Sequence, residues 1–109
     1  VYGVSKLFGE NLGWHYNKQH GIKFVGLRIG AIGPTDNVGR SKGTDRESYI
    51  RAMFLSRRDC IAAFKSALEV DDEFLVAYAI SDNDNRIFDM KESMEKLGFD
   101  PQDNSEDFF

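Results

Sequence analysis

An α/β fold with parallel strands is what this sequence predicts, and three observations carry that expectation. Segments of helical periodicity alternate with short apolar runs in the order helix, strand, helix, strand, helix. The two runs, KFVGLRIG over 23–30 and FLVAYAI over 74–80, are apolar almost throughout, as strands covered on both faces are. Two strands also make too small a sheet to stand alone, so residues 1–109 are expected to be part of one domain.

The elements follow in order. Over 3–20, Val4, Leu7, Phe8, Leu12 and Tyr16 recur at steps of three and four, which predicts a helix. Trp14 widens its apolar arc, so packing on two sides is expected. Gly21 suits a left-handed cap. After the first strand, residues 31–46 read as loop, and 47–54 as a short helix. Ser56 is a good N-cap for a helix over 57–69, with Asp59 at the reciprocal position of a capping box. Its expected apolar stripe is Cys60, Ile61, Phe64, Ala67 and Leu68. Asp89 and Glu92 resemble a box opening a last helix over 90–97, with Met90, Met94 and Leu97 inward. The acidic tail PQDNSEDFF is expected to be loosely ordered.

Bulk properties narrow the function. A net charge of -4 argues against a dedicated nucleic-acid binder. No apolar run approaches the ~18 residues of a membrane span, and no secretory leader is visible. One cysteine, Cys60, allows no internal disulfide, fits a reducing cytoplasm and reads as an inert thiol in an apolar stripe. His15 and His20 lack metal-ligand spacing, and the Asp82–Asn85 run lacks the glycine and glutamate of a calcium loop, so no metal is expected.

The strongest chemical signal is Tyr2-Gly3-Val4-Ser5-Lys6. Tyrosine and lysine four apart share a helix face. A free phenol titrates near pH ~10, and a neighbouring ammonium favours the phenolate. Such a pair can take a proton from a substrate hydroxyl. Gly9 and Gly13 fall on the same face, which suggests close approach of another element. Gly26, Gly30 and Gly33 do not have the spacing of a dinucleotide fingerprint and read as strand end and turn. Arg57 and Arg58 open a helix, where the macrodipole disfavours cations, so a bound anion there is one reading and a solvated or acid-paired couple the other. From Arg40 to Arg58 the chain carries six basic residues and two acids, Asp45 and Glu47.

YGVSKLFGE followed by a helix and a strand ending LRIGAIGP resembles the extended short-chain dehydrogenase/reductases, the NAD-dependent epimerase/dehydratase family. LSRRDCIAAFKSALE and SDNDNR…FD…LGFDPQDNSED are similar to uronate dehydrogenases and, more similar still, to archaeal NAD-dependent glucose-6-phosphate dehydrogenases. The resemblance implies the C-terminal portion of a Rossmann-like domain, beginning at the catalytic tyrosine motif with the cofactor-binding half absent. It implies NAD as cofactor, Tyr2 as base, Lys6 as its partner and ribose ligand, and Ile29 beside the nicotinamide. It places Gly30, Ala31, Arg51, Arg57 and Arg58 at the sugar, with Arg40, Lys42 and Arg46 in the same region. The implied reaction oxidises a sugar at its anomeric carbon, the substrate being a hexose 6-phosphate or a uronic acid. A homodimer through the Tyr2-bearing helix is also implied. A sugar epimerase or dehydratase, or a non-catalytic interaction module, are the alternatives; the absence of an asparagine after Arg28-Ile29-Gly30 departs from the epimerase pattern.

Overall fold

Helix α1 (Tyr2–His20) runs into Gly21, whose φ of 66° ends it in the left-handed region as expected. The chain turns back at once into strand β1 (Phe24–Ile29). A loop with one 3-10 turn leads to α2 (Glu47–Met53) and then α3 (Arg57–Glu69), after which strand β2 (Phe74–Ala79) closes the sheet. The strands are parallel, in register from Phe24 opposite Phe74 to Ile29 opposite Ala79, which demands the long crossover between them. This computed structural model describes residues 1–109 throughout.

Alternation along the strands sorts two layers. Phe24 and Phe74 stack under α1, and Trp14 meets Phe74 edge to face at 5.1 Å. A Cβ on Gly13 would collide with the Phe24 ring, so the close approach expected of this helix is met within the chain at Gly13, whereas Gly9 stands in open space. On the other layer Leu75, Ala77 and Ala79 join Leu55, Ala63, Ile80, Met90, Leu97 and Phe99 in the core. Val25 and Leu27 border it.

Beyond the strands, the segment Met53–Leu55 lies between their extensions. Ala31 N–H donates to Met53 O (2.7 Å), Leu55 N–H to Ala31 O (2.9 Å), and Ser81 N–H to Phe54 O (2.9 Å). Asn83, fully buried, donates to the carbonyls of Ala52 and Phe54 and accepts from Ser105 N–H. The Asp82–Asn85 run, which lacks the residues of a calcium loop, therefore contains a structural clamp.

Four expectations need correction. The tail is not loose: it forms a 3-10 turn (Ser105–Phe108), and Phe108 packs on Phe54 with centroids 5.0 Å apart. Asp59 does not reach back to Ser56. Its buried carboxylate accepts instead from Ser81 Oγ, Gln102 N–H and Asp103 N–H, while the Ser56 hydroxyl caps α3 by accepting from Asp59 N–H. The last helix is a short turn that widens into a π turn (Ser93–Leu97), because Met90, Leu97 and Phe99 all enter the core while Met94 stays half exposed. Asp89 accepts from Lys91 N–H, which is an Asx turn and not a box. Finally, Ile61, Phe64 and Leu68 of the α3 stripe are exposed, since the helix turns Asp59 and Ala63 inward. The second packing face expected of α1 is likewise uncovered within this chain: Val4, Phe8 and Leu12 are exposed.

Candidate active site

The short connection between α1 and β1 makes the two run antiparallel. The start of α1 is thereby level with the end of β1. Glu10 sits opposite Arg28 and holds it with two bonds, of 2.9 and 3.0 Å. One and two turns further back, Lys6 and Tyr2 face the same groove as Arg28 and Ile29. The groove has a volume of about 770 Å³ and is floored by Phe24 and Gly26. Lys6 Nζ lies 5.2 Å from the centroid of the Tyr2 ring, so charge and phenol share one wall. Tyr2 is 76% exposed, leaving its hydroxyl free for a substrate. The Arg28 bond holds the Glu10 carboxyl below the usual carboxylate range, against a smaller upward push from burial. Glu10 is therefore a fixed anion and not a proton donor.

A second cleft opens where β1 ends. It has a volume of about 370 Å³ and is lined by Gly30 to Gly33, Thr35, Asn37 to Ser41 except Gly39, Arg46, Tyr49 and Ile50. Gly30 is required there: a Cβ would strike the Met53 carbonyl oxygen and the Ile80 side chain. Two cavities thus meet at Ile29-Gly30, at the carboxyl ends of parallel strands, where open α/β sheets place their ligands.

The expected site residues divide into two groups. Tyr2, Lys6 and Ile29 share the groove; Gly30 and Ala31 line the cleft. Arg51, Arg57 and Arg58 do not line either cavity. Arg51 is paired with Glu47 (2.9 Å) and Glu106 (2.5 Å) and covers the Phe109 ring. Arg57 Nη1 donates to Pro34 O (2.9 Å), and Arg58 grips Asp103. The start of α3 has its anions already: Arg57 N–H donates to Asp36 Oδ1, and Asp103 neutralises Arg58. The residues not singled out by sequence are Thr35, Asn37 and Tyr49 in the cleft. Arg40 and Arg46, noted only as part of a basic stretch, are cleft residues. The RSKGTDR run marks the region as basic, but spacing in a loop does not say which side chains turn inward. Cys60 is half-buried against the core, and burial pushes its thiol pKa up. No helix is long and apolar enough to cross a membrane.

Fold and site together define a class: the chain is homologous to NAD(P)-dependent sugar dehydrogenases. L-arabinose 1-dehydrogenase (NAD(P)+) of Haloferax volcanii is 43% identical over 109 residues, covering 95% of this chain and 42% of that protein. NAD-dependent glucose-6-phosphate dehydrogenase of the same organism is 39% identical over 108 residues, covering 99% of this chain and 39% of that protein. Among solved structures, uronate dehydrogenase from Agrobacterium tumefaciens matches with a TM-score of 0.77 and 30% identity over 98% of this chain and 37% of its own. A tyrosine-to-alanine mutant of that enzyme, complexed with NAD, matches with a TM-score of 0.76 at 29% identity, over 97% of this chain and 37% of its own. No family model matches. The expected likeness to uronate and glucose-6-phosphate dehydrogenases holds, and the Rossmann-like, parallel-sheet architecture is that of uronate dehydrogenase. The chain spans about two fifths of the length of the curated relatives it matches.

Proposed function

We propose that the whole protein is an NAD-dependent sugar dehydrogenase that oxidises its substrate at the anomeric carbon. The observation that carries this reading is Tyr2 and Lys6 on one wall of an open groove that meets a small cleft at Ile29-Gly30. The residues present fit the ribose and nicotinamide end of such a cofactor. An exposed phenol and ammonium stand beside Gly9, whose surroundings are open within 4 Å. NAD, when bound, supplies the acceptor for the hydride that leaves the sugar carbon. Tyr2 takes the proton of the anomeric hydroxyl. Lys6 places a positive charge beside Tyr2, which favours the phenolate that accepts this proton, and reaches the ribose hydroxyls. Ile29 borders the nicotinamide, and Gly30 and Ala31 border the sugar. In this reading Arg51, Arg57 and Arg58 fix the walls of the cleft through Glu106, Pro34 and Asp103, and touch the sugar only through the loops they hold.

Two further parts of the reading concern the protein's setting. The exposed Val4, Phe8 and Leu12 stripe on α1 supports a homodimer contact through that helix. The single cysteine supports a cytoplasmic protein. The reaction itself is tested by incubating the whole protein with NAD and a panel of aldoses, uronates and sugar phosphates while following NADH. NADH accumulating in step with sugar consumed is the expected outcome. Conversion of a sugar without net NADH contradicts the dehydrogenase reading and marks an epimerase or dehydratase.

A further inference from the structure

Lys6 has two neighbours one helical turn away, and they compete for it. Tyr2 lies four residues before it and Glu10 four residues after, so all three share one face of α1. A carboxylate draws the ammonium by a full charge, a phenol only by its ring and hydroxyl dipole. Yet Lys6 forms no ion pair with Glu10 or with any other acid. Its Nζ stands 5.2 Å from the centroid of the Tyr2 ring. Arg28 accounts for this choice. Its Nε and Nη2 donate to Oε1 and Oε2 of Glu10, so one guanidinium fork takes both carboxylate oxygens. Arg28 is itself held from behind by Tyr78, its register partner on β2. Tyr78 Oη accepts from Arg28 Nη1 at 3.4 Å, and the guanidinium carbon lies over the Tyr78 ring, 5.6 Å from its centroid. Tyr78 in turn stacks on Phe88 with centroids 4.2 Å apart. The sheet, and not α1, therefore sets the height of the fork.

We infer that Arg28 is a positioning residue: by neutralising Glu10 it leaves the Lys6 ammonium to Tyr2. The consequence for turnover rests on the dehydrogenase reading. The inference goes beyond that reading by placing control of the proton acceptor in a charge pair outside the Tyr2–Lys6 couple. The charged or titratable side chains lining the groove are Tyr2, Lys6, Glu10 and Arg28, and β2 adds Tyr78 behind Arg28. Lys6 and Arg28 against Glu10 leave one net positive charge beside the phenol. Without Arg28 the sum is zero, and Glu10 is free to draw Lys6 toward itself. A phenolate at Tyr2 is then disfavoured. Arg28 is half-exposed, so solvent screens the effect without removing it.

The test uses the whole protein as wild type, Arg28→Gln, Glu10→Gln and the double variant, each beside a counterpart that also carries Tyr2→Phe. The difference in near-ultraviolet absorbance within each couple, followed against pH, reads ionisation of the Tyr2 phenol without turnover. The pH profile of kcat for NADH formation, on whichever sugar the wild type turns over best, is the second readout. Arg28→Gln is expected to move the phenol titration and the acid limb of kcat to higher pH by about half a pH unit or more, the scale of one screened charge at this distance. The double variant is expected to return both to the wild-type position, although the bridge between α1 and β1 is still missing. A purely structural role would leave it as displaced as the single change. Glu10→Gln is expected to move both readouts to lower pH. It leaves Arg28 in place, so it carries the test if circular dichroism shows Arg28→Gln unfolded. These titration shifts, with no NADH from any sugar, support the inference and remove the dehydrogenase reading. An unchanged phenol titration in Arg28→Gln, a double variant displaced as far as the single one, or a Glu10→Gln titration at higher pH overturns the inference.

Discussion

Gly30 is set by backbone crowding. The Met53 carbonyl approaches so closely that a β-carbon at this position meets it, together with the Ile80 side chain. The approach is fixed by the bonds that stitch Ala31 to Met53 and Leu55. A Gly30→Ala change must therefore push the Met53–Leu55 segment off the end of β1. Overpacking of this kind costs about 1–3 kcal/mol. Thermal unfolding of the whole protein is expected to show a lowered midpoint for Gly30→Ala, whereas Gly3→Ala, with open space around it, is expected to leave the midpoint in place or raise it. A midpoint unchanged by Gly30→Ala would mean that the crowding is absent.

At the scale of elements, the end of the chain is held to the start of α3 by carboxylates. Asp59 anchors the backbone of Gln102 and Asp103, and Asp103 accepts from Ser56 Oγ and Arg58. Burial pushes the Asp103 carboxyl up, but the bonds from Arg58 and Ser56 outweigh it and hold the pKa below the usual aspartate range. A depressed folded pKa means that the unfolded chain binds the proton first as pH falls. The contribution is then fully present above the ordinary aspartate pKa and is lost as pH drops through the lower folded value. Urea unfolding of the whole protein at a series of pH values below about 5 reads this directly. Asp103→Asn is expected to make stability fall less steeply with acid, and an unchanged slope contradicts the assignment.

The same elements show what sequence patterning carries and what it does not. The ends of α1, β1, α3 and β2 follow from local signals: the Gly21 cap, the Ser56 cap and two short apolar runs. The Tyr2–Lys6 pairing follows from helix geometry alone. The docking of the acidic tail does not, because Phe108 and Ser105 find their partners, Phe54 and Asn83, more than 20 residues away, and composition reports only polarity. The arginines fail for a related reason. Whether a loop cation faces a ligand or a carboxylate depends on partners such as Asp103 and Glu106, which sequence distance hides.

At the scale of the whole molecule, only 21 of 109 residues are buried, and the Cα radius of gyration is 14.9 Å, against about 13 Å for a compact chain of this length. The exposed apolar residues are not scattered. Val25, Leu27 and Ile29 of β1 form an apolar groove with Phe64, Ala67 and Leu68 of α3. Leu27 and Ile29 also line the groove of Tyr2 and Lys6, so the two grooves adjoin along β1. On the proposed reading, activity is a property of the whole protein, to which this chain contributes Tyr2 as proton acceptor and one side of the cleft. The most direct test is NADH formation by the whole protein with Tyr2→Phe, on whichever sugar the wild type turns over best. Phenylalanine keeps the ring and removes the hydroxyl at an exposed position, so the fold is expected to persist by circular dichroism. A fall in kcat of about 10²–10⁴-fold is expected from loss of a general base. A folded variant with a rate near the wild type would contradict the placement of the chemistry at Tyr2.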